Sequence, residues 1–135
     1  MRCVVVLALL MSLCAVSAAE EAAQKAEAKA ALKLENLMRA ELEVVEGTEV
    51  IMSRIEFPPG TELPMHYHPG EDFVYVLEGS GTVWFKGEGE TPFKAGDFVK
   101  VPYKRVHTAR AGDEGFKALV FRVHQKGQPE RVPSE

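Results

Sequence analysis

Hydrophobic and polar positions change rhythm twice along this chain. Residues 3–16 form one apolar run behind a single base, Arg2, and give way to Ser17-Ala18-Ala19 and the acidic Glu20-Glu21. From residue 20 to about residue 37 the sequence is dominated by Ala, Glu, Lys and Gln and lacks glycine and proline, a composition that favours helix. Glu21→Lys25 and Glu35→Arg39 stand at i,i+4 in the favourable orientation. The apolar stripe there, Leu34, Leu37 and Met38, is thin, so residues 20–37 read as a fraying helix or flexible linker and not as a packed element.

Beyond Met38 the pattern shortens into apolar or alternating runs punctuated by Gly and Pro. Residues 50–57 end at Pro58-Pro59-Gly60; residues 73–77 are apolar at every position, as in a strand buried on both faces. Residues 82–86 follow Gly79-Ser80-Gly81, which reads as a hairpin turn. Residues 98–101, 106–109 and 116–123 complete the series. Many short strands divided by turn residues predict an all-β sandwich or barrel, and with no internal repeat residues 38–135 make a single domain.

A chain of 135 residues has room for one such domain once its start is discounted. Residues 1–19 have the make-up of a secretory signal peptide: a short basic start, an apolar run too short for a comfortable span, and small residues before cleavage at Ala18 or Ala19. An uncleaved membrane anchor is the alternative. Cleavage predicts an exported protein, periplasmic or extracellular, that meets the membrane only through its leader. Cys3 and Cys14 both leave with that leader, so the mature domain forms no disulfide and relies on its core. Loss of Arg2 leaves 15 basic against 20 acidic residues, a net charge of −5 that argues against nucleic acid as a partner.

The chemistry concentrates between Gly60 and Gly79. His66 and His68 are two apart in an extended run, so their imidazoles share a strand face. Glu71 and Asp72 follow a Pro69-Gly70 turn, and a second segment supplies His107 after Gly96 and Pro102. Together these stretches resemble the two motifs of the cupin superfamily, G-x5-H-x-H-x3-E-x6-G and G-x5-P-x-G-x2-H-x3-N. Gly60, His66, His68, Asp72 and Gly79 fall on the first without gaps, and Gly96, Pro102 and His107 on the second. Asp72 stands where the motif has glutamate, Lys104 where it has glycine, and Ala111 where it has asparagine.

The resemblance implies a small cupin-type jelly-roll barrel. It also implies a mononuclear centre with His66, His68, Asp72 and His107 as ligands to a divalent transition metal: Fe, Mn, Ni, Cu or Zn. Replacing Glu by Asp retracts the carboxylate by about 1.5 Å, against a ligand tolerance of about 0.2 Å. Either the backbone moves inward at Asp72, or three histidines hold the ion and Asp72 stands behind them. Glu71 faces the other way and belongs at the rim. Two functions fit: metal-dependent turnover of a small organic molecule, as a dioxygenase-like oxidoreductase, decarboxylase or isomerase, or non-catalytic capture of a small ligand or of metal. Arg105 shares the strand face of His107 if the strand continues, where it would receive a carboxylate; otherwise it is a solvated loop residue. Tyr67, Tyr75, Tyr103, Trp84 and Arg110 are further candidates for the pocket or its mouth. His124 lies outside both motifs and reads as an ordinary strand or surface residue. A small barrel with open edges is expected to pair through edge strands as a homodimer.

Overall fold

The computed structural model describes residues 31–135, and residues 32–135 form a compact unit made of strands alone. These are β1 (Lys33–Glu41), β2 (Thr48–Phe57), β3 (His66–Tyr67), β4 (Gly70–Phe85), β5 (Gly89–Lys94), β6 (Phe98–Val101), β7 (His107–Gln125) and β8 (Val132–Pro133). All eight join one curled antiparallel sheet organised around β7. The C-terminal half of β7 is flanked by β2 and by residues 70–79 of β4; its N-terminal half is flanked by residues 81–85 of β4 and by β3. β5 and β6 pair with β4, β1 covers the free edge of β2, and β8 adds to β3.

The curl depends on two glycines. Gly79-Ser80-Gly81 is no hairpin: β4 runs through it as a 16-residue strand with register shifts on either side of Gly79, and β7 likewise runs 19 residues through Gly115. Gly79 and Gly115 both have positive φ, 76° and 75°, and a Cβ on Gly79 would lie 2.0 Å from the Gly115 carbonyl oxygen. Only two backbones without side chains can approach so closely while bending the sheet. The hairpin turn lies further on, where the Glu88 amide donates to the Phe85 carbonyl and β4 folds back onto β5.

Alternation then sorts the side chains. Phe57, Val76, Val83, Phe93, Ala111, Phe116 and Ala118 point inward and form the core, with Phe57 stacked on Phe116 at 4.4 Å and Phe93 edge-on to Phe116 at 5.0 Å. Residues 73–77 are not buried on both faces. Val74 and Val76 face in, whereas Phe73, Tyr75 and Leu77 lie on the outer face and are 38–40% exposed.

The start of the domain also differs from expectation. Residues 33–37 do not continue a helix or linker but begin β1, whose every residue is exposed. Pairing with β2 satisfies their backbone groups and overrides local helix propensity. Glu35 and Arg39 therefore do not pair with each other: Glu35 lies 3.6 Å from Arg54, and Arg39 engages Glu49 and Glu130. The expected leader, and residues 20–30 of the expected linker, lie outside the described residues.

Candidate metal centre

Three side chains from two distant strands meet at one end of the curl. His66 and His107 are direct register partners across β3 and β7, and His68 follows β3 on the same face. All three are buried, and one ring nitrogen from each lies within 4.8 Å of the others. Each ring is held from behind by a main-chain carbonyl through Nδ1: Pro64 O at 2.8 Å for His66, Arg105 O at 2.9 Å for His107, and Glu130 O at 2.5 Å for His68. A carbonyl only accepts, so each Nδ1 carries the proton and each Nε2 presents a lone pair.

The electrostatics agree. Burial, reinforced by the charges of the other two histidines and Arg131, lowers the His66 pKa to about 3 despite the Pro64 hydrogen bond. Burial lowers that of His68 to about 4, with Asp72 opposing and Arg122 assisting, and burial lowers His107 too. The rings are thus neutral nitrogen donors at ordinary pH, oriented by partners of the kind that metal-binding histidines use. This donor set fits a first-row divalent ion.

Asp72 is buried beside the triad but already engaged. Arg122, its register partner on β7, donates Nε to Oδ1 at 2.7 Å and Nη2 to Oδ2 at 2.8 Å; Oδ2 also lies 3.4 Å from His68 Nε2. Arg122 Nη1 donates to Glu130 Oε2 at 3.0 Å, and Glu130 is bound in turn by Arg39, which also holds Glu49. Three histidines therefore face one another, with the carboxylate beside His68 and tied to Arg122 in a charge-paired chain.

A cavity of about 360 Å³ opens beneath the triad. Strand register gives it a gradient. Along β4 and β7 the inward pairs read Asp72 with Arg122, Val74 with Val120, and Val76 with Ala118; the opposite wall reads His107, then Val83 with Ala109. One end is polar, and Phe57, Phe93 and Phe116 close the other. Leu34 and Arg131, both exposed, line its rim.

Other sequence candidates fall elsewhere. Arg105 lies in the turn before β7 and pairs with Glu88, while its carbonyl serves His107. Arg110 pairs with Glu62, and Glu71 pairs with Lys100 at 2.8 Å away from the triad. None of Tyr67, Tyr75, Tyr103 or Trp84 lines the cavity. His124 is not at the surface: it is fully buried on β7, where its Nε2 meets the Gln128 carbonyl at 3.0 Å. Arg122, Glu130 and Arg131 are the charged lining residues that motif reading passed over. A signal for the first was available in the alternation Ala118, Val120, Arg122, His124, which puts an arginine on a buried face where it needs an acid.

Comparison with known proteins agrees with this geometry. A family model described as "Cupin domain" matches residues 53–122. The dimethylsulfoniopropionate lyase of Ruegeria pomeroyi is 32% identical over 67 residues, which are 50% of this chain and 33% of the lyase. Auxin-binding protein 1 of Arabidopsis thaliana is 34% identical over 74 residues, 48% of this chain and 37% of that protein. This chain thus matches about a third of either relative's length. The crystal structure of the Ruegeria pomeroyi lyase superposes with a TM-score of 0.64 at 23% identity, covering 76% of this chain and 51% of that one. A cupin-like protein of Thermotoga maritima superposes with a TM-score of 0.61 at 23% identity, covering 76% and 75%.

Proposed function

Because the chain belongs to the cupin family, we propose that His66, His68 and His107 hold one divalent transition metal and that the cavity beneath presents it to a small organic molecule. The observation that carries this reading is the set of three main-chain carbonyls, each fixing one imidazole so that its free nitrogen points at the other two. When bound, the ion supplies a Lewis acid and a template. The protein's own residues orient it, keep Asp72 occupied with Arg122, and line the remaining space with apolar side chains that exclude water.

Three protein ligands leave coordination positions vacant, which favours a reactive site over a closed structural one. Among the cavity-lining residues the carboxylates are Asp72 and Glu130, and both are engaged by arginine, so neither stands as a free base. The lyase among the relatives favours non-redox chemistry; an oxygen-activating oxidoreductase is the form of the reading that bound iron would select. A second reading, a non-catalytic ligand binder, is favoured by the auxin-binding relative.

Two further parts complete the proposal. The leader-like residues 1–19 support export to a periplasmic or extracellular site. A second copy of the chain is the proposed partner for the outer sheet face that carries Phe73 and Phe121.

Metal analysis of the untagged protein from its native compartment tests the central claim. About one equivalent of one first-row ion is expected, with His66→Ala and His107→Ala each losing it while remaining folded by circular dichroism. Unchanged metal content in both variants would sink the assignment. Turnover by the loaded protein then separates enzyme from binder.

A further inference from the structure

The charge balance around the cavity narrows the ligand class, a deduction that rests on the metal reading above. The linked chain Asp72, Arg122, Glu130, Arg39 and Glu49 holds three acids and two bases, and Arg131 at the rim brings the local balance to zero. Among the described residues Arg131 has no carboxylate within ion-pairing distance, whereas Arg39 and Arg122 are both engaged. Metal-bound imidazoles are neutral. A divalent ion on the buried triad therefore leaves this end of the cavity with two uncompensated positive charges. An anion relieves that imbalance and a cation worsens it.

The rest of the cavity selects for the opposite character. Below Val74 and Val120 the inward pairs carry no polar side chain until the Phe57, Phe93 and Phe116 cluster, so a polyol or sugar would lose its hydrogen bonds there. A volume of about 360 Å³ suits a small ligand.

We propose that the cavity takes an amphiphilic monoanion, an organic carboxylate with an apolar body, its head at the histidine end within reach of Arg131 and its body directed toward Phe57, Phe93 and Phe116. Arg131 is then the specificity-determining residue at the rim, because a guanidinium pairs with a carboxylate in a fork that neither an alcohol nor an amine can match.

Calorimetry on the untagged protein tests this in two stages. Titration with Zn(II) alone comes first; failure to bind it would remove the metal reading, and with it this proposal, before any organic probe is used. With Zn(II) bound, octanoate is expected to bind 1:1 and at least about tenfold more tightly than 1-octanol or octylamine. Affinity should rise about fourfold per methylene from butanoate to octanoate, the increment for burying a CH₂. Arg131→Gln should weaken octanoate about fivefold or more and leave Zn(II) stoichiometry unchanged. If the zinc-loaded protein binds octylamine or octanol as tightly as octanoate, or if affinity is flat with chain length, the proposal fails while the metal reading stands. An Arg131→Gln variant indistinguishable from the parent removes the role of Arg131.

Discussion

Asp72 and Arg122 face each other across β4 and β7, and their two hydrogen bonds bury a whole ion pair, the residues being 3% and 5% exposed. Such a pair costs little while intact and much when halved. Arg122→Met leaves a buried carboxylate without its cation and is expected to cost about 3–5 kcal/mol in urea unfolding, whereas Asp72→Leu with Arg122→Met should recover most of that loss. If Asp72 stands behind the triad, the double variant keeps one equivalent of Zn(II); loss of the ion would put the carboxylate on the metal. The histidines impose a pH dependence of their own. His66 and His68 have folded pKa values of about 3 and 4, below the ordinary 6.5, so between these values the unfolded chain binds more protons than the folded one. The metal-free protein should be fully stable above pH 6.5 and lose up to about 1.4 kcal/mol per pH unit for each histidine as pH falls toward 4. Urea midpoints at pH 7.5 and pH 5 measure this, and a midpoint that rises on acidification contradicts the burial argument.

At the scale of elements, the triad has two kinds of support. His66 and His107 are fixed by carbonyls two residues back on their own segments, a local geometry that travels with the strand. His68 depends on the carbonyl of Glu130, 62 residues away, in the segment that leads into β8. That segment is anchored by the pairing of β8 with β3, by the Ser134 amide on the Met65 carbonyl, and by the Glu130 carboxylate between Arg39 and Arg122. Ending the chain after Gln128 should lower Zn(II) affinity about 10–100-fold, the usual effect of losing a histidine's outer partner. Glu130→Ala keeps the carbonyl and should have a smaller effect. Equal losses would mean that the carboxylate and not the carbonyl carries the support. A chelator competition titration reads both.

On the scale of the whole molecule, the curl puts the polar chemistry inside and leaves an apolar row outside. Met38, Met52, Phe121 and Phe73 are successive register partners across β1, β2, β7 and β4, and Tyr75 lies beside Phe98, itself 79% exposed, at a ring distance of 4.7 Å. This contiguous outward row is the face on which we propose that a second copy docks. If a second copy covers it, light scattering gives twice the chain mass, and Phe121→Lys with Phe73→Lys shifts the protein to monomer without changing its Zn(II) stoichiometry. A parent that is monomeric at all concentrations removes the pairing.

The strand and turn rhythm, together with two spaced motifs, determined the all-β class, the cupin resemblance and the candidate ligands His66, His68 and His107. These are local signals: alternation sets which face a side chain takes, and the motif intervals set where the strands bring it. The sequence pattern misjudged features decided by long-range pairing. Gly79 looks like a turn until Gly115 is seen opposite it, and residues 33–37 look helical until β2 supplies their hydrogen bonds. The partner of Asp72 is likewise Arg122, 50 residues distant, and that of His68 is Glu130. Each of these depends on a partner far along the chain, and only the closed sheet brings such partners within hydrogen-bonding distance.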